Sequence, residues 1–492
     1  MALAALAGRG VGPRAVAPSR ARPAPVVVVV DGRRATGAAL SPGLFGLGVD
    51  LSAATYIDAT HGCAVLPGIG AAVTLVRVGA AKADDYDWRT DTYYNQNDTR
   101  ERGHDASFGC PRRGDRGAAS VLRVLDRARA LRAGAVVVLN GETDDPRSAY
   151  ALAALVARRY GLVFARDIYW EIGNVPARWQ HFGVPLTARS DGERIACSPD
   201  QYAALVTAYH AALAAALYGS VPGGAGGSGD KGGPRIVADA WIANATDQSW
   251  AGLVTAVDTR YYPYTSLGVA PPGAAAVAAS VTNPPPGAVP LHDQLAGLRA
   301  NLGQYNEGES IALFLGQWNI DANTSAAYDP TAQAVFLASL LLHAARDGVG
   351  MAAWDPPLLY GESSSGPPGS SSTPQTPFVD GRPAPSLVLL TLLRRLAGAH
   401  ALFAMSSDPA LDVLAVRRAD GGISIVLART DAHAPSGVSL RLSGGPRRPI
   451  RATLRTFPGR PDGAARALTF DPAGARIAVS SPGVAIVTLP AR

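Results

Sequence analysis

Three shortages in this 492-residue chain each close off a class of function. Its three cysteines, Cys63, Cys110 and Cys197, are too few and too scattered for a disulfide scaffold or a zinc ligand set, and allow one bridge at most. No apolar run reaches the roughly 18 residues of a membrane-spanning helix. Lysine occurs only at Lys82 and Lys231, so the +6 net charge rests on arginines scattered beside alanine and glycine. A nucleic-acid surface gathers its cations into a stripe or block, and this sequence has neither. The eight histidines stand apart, so no metal cluster is indicated. The glycine pairs at Gly8/Gly10 and Gly46/Gly48 lack the strand–helix context of a dinucleotide loop, and no G-x-S-x-G elbow occurs. The expectation is a protein without metal or cofactor.

What is present supports a large folded body. Hydrophobic residues make up 47% and charged residues 17%, which excludes global disorder. At about 150 residues per domain the length suggests roughly three domains, or two if one is a barrel. Residues 1–25 carry four arginines and no acid, the bias of a targeting or disordered leader; they are compatible with secretion or an organelle and do not choose. From Val26 the texture changes. A β-branched run at 26–31 is followed by short apolar segments at 44–50, 73–78, 135–140, 168–173, 235–241, 256–262, 311–318 and 349–354. Helical stretches alternate with them. Ser198-Pro199-Asp200-Gln201 reads as a capping box opening a helix to about Tyr218, and Asp329-Pro330 opens another. Eight β/α units predict a parallel (β/α)8 barrel. Its insertions are visible as a glycine-rich stretch at 223–233 and a Ser/Pro/Gly stretch at 362–377. Beyond Pro385, a helix leads into short strands at 412–417, 423–428, 438–442, 450–456, 476–480 and 484–489, which predict an antiparallel β-sandwich. The orphan strand at 26–31 needs a partner and is expected to join it. The expected divisions are a leader at 1–25, an N-terminal strand at 26–40, a barrel at 41–378 and a sandwich at 379–492.

A barrel of this kind carries its site at the carboxyl ends of its strands. Those ends contain Arg77, Asn140, Trp170, Asn174, Trp241, Tyr262, Trp318, Asn319 and Trp354. Aromatic faces stack on sugar rings, and Asn and Arg hydrogen-bond hydroxyls, so the pattern points to a carbohydrate cleft with an oligo- or polysaccharide as partner. Oligomeric state is not legible.

Several segments resemble clan A of the retaining glycoside hydrolases, nearest to families 39, 51 and 79. They are VVVVVDGRRATGAALSPGLFGLG at the start, VRVGAAKADDYDW from Val76, YWEIGNVP from Tyr169, RYYPY from Arg260, LGQWNI from Leu315, and the VDGRPAPSLVLLTLLRRLAG tail. The resemblance implies two catalytic glutamates. The acid/base follows the Asn that ends the fourth barrel strand, and the nucleophile ends the seventh. One protonates the leaving oxygen and the other attacks the anomeric carbon, from about 5–5.5 Å apart. Carried over, these positions are Val175 and Gln317, and neither is a carboxylate. A valine has no proton to give and an amide is a poor nucleophile. The family's His-Tyr pair at the sixth strand is also altered: Tyr262 is kept, and Arg260 stands near the place of the histidine. Arg77, Asn174, Asn319 and Trp354 match positions that shape the family's sugar site.

The leading expectation is a glycoside-hydrolase-like barrel that binds a glycan without the standard retaining activity. Two alternatives stay open. One is an active hydrolase using displaced carboxylates drawn from Asp84, Asp85, Glu142, Asp321 and Asp355, with an inverting pair needing about 6.5–9.5 Å of separation. The other is a structural or partner-binding barrel. Glu171 lies four residues before Val175 on the same strand face, deep in the barrel, and is expected to hold the core.

Overall fold

Five successive valines favour an extended backbone, and strand β1 (Val26–Ala39) opens on them. The computed structural model describes residues 26–49, 72–79, 83–94, 100–102, 119–184, 194–219, 233–264, 273–305, 308–321, 327–355, 373–374, 377–379, 382–431, 437–457 and 464–491. The expected leader at 1–25 lies outside them, as do nearly all of the glycine-rich stretch and most of the Ser/Pro/Gly stretch.

After β1, eight parallel strands close into a barrel: β2 (Gly46–Val49), β3 (Leu75–Val78), β4 (Gly134–Leu139), β5 (Tyr169–Ile172), β6 (Arg235–Asp239), β7 (Ala256–Tyr261), β8 (Ala312–Trp318) and β9 (Val349–Trp354). Closure comes where β9 meets β2, with Ala353 opposite Gly46. A Cβ at position 46 would lie 2.4 Å from the Ala352 carbonyl oxygen, so the closing contact requires glycine there. Helices cover the outside. They include α1 (Ala119–Ala130), α2 (Pro146–Tyr160), α3 (Leu162–Asp167), α4 (Pro199–Tyr218), α5 (Ala274–Ala279), α6 (Leu291–Leu302) and α7 (Pro330–Arg346). The capping box of α4 forms as expected: Ser198 accepts from Gln201 N–H and Gln201 reaches back to Ser198 N–H. Buried tyrosines of α4 tie strand ends together. Tyr202 donates to the Ile172 carbonyl at 2.8 Å and accepts from Asp239 N–H at 2.9 Å.

The bottom of the barrel is apolar, filled by Leu75, Val136, Val237, Ala256, Phe314, Met351 and Ala353. Strand alternation places the next inward residues, two further along each strand, toward the mouth.

The second body follows helix α8 (Pro385–Leu393). Its strands are β10 (His400–Ser406), β11 (Leu411–Arg417), β12 (Ile423–Arg429), β13 (Gly437–Ser443), β14 (Ile450–Phe457), β15 (Arg466–Phe470), β16 (Ala475–Ala478) and β17 (Gly483–Leu489). They hydrogen-bond in the order β15-β14-β17-β12-β11-β10-β1-β13-β16. The two wings share one core, in which Leu454 and Phe470 of one wing cluster with Val28, Leu440 and Ile477 of the other. The N-terminal strand therefore does join this sheet. The expected all-antiparallel pairing is modified in one place, because β1 pairs in parallel with β13.

Helix α7 docks the two bodies. Ser339 Oγ donates to Asp412 Oδ2 at 2.6 Å, His343 Nε2 lies 3.0 Å from Asp412 Oδ1, and Arg346 donates to the Val413 carbonyl. Asp412 is 7% exposed and Ser339 fully buried, so removing the carboxylate strands a buried hydroxyl. Asp412→Ala is expected to lower unfolding stability by about 1–3 kcal/mol, read as a fall in the denaturant midpoint. Asp420→Ala, at an exposed ion pair, should leave the midpoint unchanged and serves as the control.

Candidate functional site

The layer above the barrel's apolar floor is ionic. Arg77 follows Leu75 on the inner face of β3, and Glu171 follows Tyr169 on β5. They form a two-pronged pair: Arg77 Nε donates to Glu171 Oε2 at 2.8 Å and Nη2 donates to Oε1 at 2.5 Å. Both side chains are at most 1% exposed. Burial alone would pull the Arg77 guanidinium down; the charge and hydrogen bond of Glu171, with the charge of Asp258, together more than offset it, so the arginine is held above its ordinary range. Arg77 Nη1 has no partner among the described residues.

A second arginine sits above the first. Arg260 of β7 donates from Nε to Gln317 Oε1 at 2.9 Å, from Nη1 to Asp239 Oδ2 at 2.5 Å and from Nη2 to Asn174 Oδ1 at 2.9 Å. The same Asn174 oxygen accepts from Arg77 Nη2 at 3.1 Å, so one amide links the two guanidinium groups. Asp258, two residues below Arg260, is fully buried. Burial, and next the charge of Glu171, raise its carboxyl well above the usual range. The layer then holds two cations against the Glu171 and Asp239 carboxylates, and Arg260 Nη2 also lies 3.3 Å from Oδ2 of Asp258.

Local backbone aims these groups. In β8 the register slips by one residue: Thr259 pairs with Leu315, and Arg260 with Gln317. Such a slip moves every later side chain to the opposite face. Gly316 is the extra residue; its N–H donates to Asp258 Oδ1 at 2.7 Å, and a Cβ there would lie 2.1 Å from that oxygen. The bulge turns Gln317 inward to Arg260 and sends Trp318 outward.

At the end of β5, Gly173 takes φ +69° beneath Trp179, where a Cβ would lie 2.2 Å from the indole. Asn174 follows, and then Val175 at φ 59°, ψ 58°, a left-handed conformation that a β-branched side chain strongly disfavours. Asp84 clamps this turn: Oδ2 accepts from Asn174 N–H at 2.7 Å and Trp179 Nε1 at 2.8 Å, and Oδ1 accepts from Gly141 N–H at 3.2 Å. Burial pushes the Asp84 carboxyl up to about 8, against the pull of those donors. Glu142 holds the next loop, its Oε1 accepting from Gln180 and His181 N–H, each at 2.7 Å.

The outermost polar group is Asp355, just past β9. Its Oδ2 accepts from Tyr262 OH at 2.7 Å and lies 3.4 Å from Gln317 Nε2. Tyr262 and Asp355 are half-buried.

Of the residues expected at a sugar site, Arg77, Asn174, Tyr262 and Gln317 converge on this network, with Val175 at its rim. Asn140 and Asn319 instead shape loops. Asn140 bonds Thr143 and the Tyr86 carbonyl, and Asn319 Nδ2 donates to the Asp355 carbonyl. Trp318 and Trp354 stack on each other at 6.3 Å and are 1% and 3% exposed. Ala353 faces the barrel floor, so alternation points Trp354 the other way, toward the helices. Trp170 is wholly buried too. Asp321 accepts from Tyr328 OH at 2.9 Å; the side chain of Asp85 lies outside what is described. Asp239 and Asp258 are members of the network that motif reading passed over. Their signal was available: an acid at the end of one strand, and an acid two residues before Arg260 on its own face. Among the described residues no group of three or more His, Cys, Asp or Glu could hold a metal ion.

The left-handed Val175 costs about 1–2 kcal/mol relative to a residue that tolerates that region. Val175→Asn, which keeps a side chain and relieves the strain, is expected to raise unfolding stability by roughly 1 kcal/mol. A drop in the thermal midpoint would show that the valine's packing outweighs the strain.

No protein-family model matches the chain, and no curated protein matches it in sequence. Solved structures do. A family 51 arabinofuranosidase from Xanthomonas axonopodis pv. citri is 15% identical with a TM-score of 0.67, covering 94% of this chain and 99% of that one. An alpha-L-arabinofuranosidase from Thermotoga maritima, solved as an arabinose complex, is 13% identical at 0.67, covering 94% and 100%. A family 44 xyloglucanase from Paenibacillus polymyxa, solved with xyloglucan, is 12% identical at 0.64, covering 95% and 100%. Family 51 is among those the motifs implied, and family 44 extends the likeness. Over nearly its whole length, barrel and β-domain together, the chain has the fold of these glycoside hydrolases.

Proposed function

We propose that the chain binds a glycan at the mouth of its barrel and does not cleave it by the two-carboxylate retaining route. The observation that carries this reading is the hydrogen bond from Arg260 Nε to Gln317 Oε1. The position carried over as the nucleophile is an amide whose oxygen is engaged by a guanidinium. Val175, at the position carried over as acid/base, offers no proton, and general acid–base help is typically worth ~10²–10⁴-fold.

Glu171, Asp84 and Asp239 are already committed to partners inside the network. Both Glu171 oxygens receive Arg77, the Asp84 oxygens receive three N–H groups, and Asp239 is tied to Arg260. For binding, the mouth keeps groups suited to hydroxyls, namely the half-buried Tyr262 and Asp355. The similar solved structures carry names that concern arabinose-containing and xyloglucan substrates, which makes such glycans the first to try. A partner-binding barrel is the second reading, favoured by the burial of Trp318 and Trp354, which withdraws two stacking platforms from the mouth.

Titration with arabinoxylan and xyloglucan oligosaccharides, followed by calorimetry or ligand-observed NMR, should give saturable binding that Tyr262→Ala weakens at least severalfold. Absence of binding across that panel would favour the partner-binding reading. The unmodified protein should release no sugar from those oligosaccharides, whereas Val175→Glu with Gln317→Glu should bring hydrolysis to a measurable level. Cleavage by the unmodified protein would sink the proposal.

A further inference from the structure

Among the acids that face the barrel mouth, Asp355 differs from the rest in three ways. Its carboxylate lies beside the position carried over as the nucleophile, with Oδ2 3.4 Å from Gln317 Nε2, about one hydrogen bond from the side chain that replaced the glutamate. It is half-buried at the mouth, whereas Glu171 is 1% and Asp258 0% exposed. Its backbone is pinned on both sides: its N–H donates to the Trp318 carbonyl at 3.1 Å, and its carbonyl accepts from Asn319 Nδ2 at 3.1 Å. A short side chain on a pinned backbone has few places to point.

We propose that Asp355 is a displaced nucleophile: a carboxylate at the end of the eighth barrel strand that attacks the anomeric carbon of a bound glycosyl donor whose leaving group needs no proton. The proposal rests on the reading that the mouth binds a sugar, and adds a reaction to it. Tyr262 acts as the positioning residue. Burial, and next the Asp355 charge, raise its hydroxyl well above the ordinary tyrosine range. It therefore stays a donor to Asp355 Oδ2 at neutral pH, holding that oxygen in place. The Gln317 amide donates to the same oxygen from the other side.

The step balances without any further reagent. A carboxylate oxygen of Asp355 forms a bond to the anomeric carbon as the bond from that carbon to the leaving oxygen breaks. The leaving group departs with the bonding pair. Water then attacks the anomeric carbon, the ester bond to Asp355 breaks, the carboxylate is restored and the proton passes to solvent. For an ordinary glycoside the departing alkoxide would need a proton, and Val175 has none. For a dinitrophenyl glycoside the departing phenolate is already a stable anion. The same site would thus hold natural glycans unbroken and react with activated ones.

The test uses the full chain and 2,4-dinitrophenyl 2-deoxy-2-fluoro-glycosides of arabinofuranose, xylose and glucose, in both anomers, because the fluorine slows the second step and preserves the ester. One of them should release dinitrophenolate in a burst stoichiometric with protein. The intact mass should rise by one fluoroglycosyl unit, placed by peptide fragmentation on Asp355. Asp355→Asn should lose both signals while keeping its thermal midpoint, and Tyr262→Phe should slow the burst without changing the labelled residue. Labelling elsewhere, or a burst that survives in Asp355→Asn, would overturn the assignment. Oligosaccharide binding separates this failure from failure of the underlying reading. No label with binding intact removes the nucleophile alone, and no label with no binding removes both. If Asp355→Asn unfolds, the mapped label on the unmodified protein still decides.

Discussion

A guanidinium removed from water cannot shed its charge, so it must be answered by an anion. The Arg77–Glu171 pair at the centre of the barrel is that constraint here. Breaking such a buried pair from one side typically costs about 3–5 kcal/mol, so its neighbours are arranged around keeping it. Burial, and next the charge of Glu171, push the Asp258 carboxyl well above its usual range. Arg260 is accommodated because Asp239 answers it. Asn174 has its side-chain oxygen fixed by both guanidinium groups at once. The site is therefore a network in which altering one member changes the charge balance for the others.

The backbone around the barrel mouth is constrained independently of the side chains at positions 175 and 317. The shape is held by close approaches that a Cβ would disturb: a glycine at the barrel seam, another under Trp179, and the Gly316 bulge against Asp258. At positions 175 and 317 no glycine is required. Val175 even occupies a conformation that suits its side-chain type badly. Fold and chemistry are separable on a barrel, and here the separation runs between neighbouring residues: Asn174 belongs to the scaffold and Val175 does not.

The architecture was readable because it is written in periodicity. Eight apolar segments, helix caps such as Ser198 and Asp329, and the lone valine run at 26–31 each carried a local signal. Strands β10 and β15 escaped notice because alternating burial is weak in them: His400–Ser406 has one fully buried side chain, and so does Arg466–Phe470. At the site, Arg77, Asn174, Tyr262 and Gln317 lie in segments that carry the resemblance, and the structure brings them into one network. The strand-end pattern placed Trp318 in the cleft, whereas a one-residue bulge, invisible in sequence, turns it outward. Asp239 and Asp258 were overlooked for a related reason. Spacing places Asp258 on the face of Arg260 and Asp239 at a strand end, but their pairing with Arg260 and the approach to Glu171 run across strands, which spacing along the chain does not encode.

Strand β1 has a consequence for how the chain comes to be assembled. It lies between β10 and β13, partners that follow it by several hundred residues, with the whole barrel interposed. On a ribosome adding about 5–20 residues per second, the valine-rich strand emerges roughly tens of seconds before anything it can pair with exists. Over that interval it is an apolar edge with both sides open, while the barrel behind it is still being made. The β-domain is thus completed only after the barrel, by joining strands from either side of it, and the enclosed barrel must be compact enough by then to bring them within reach.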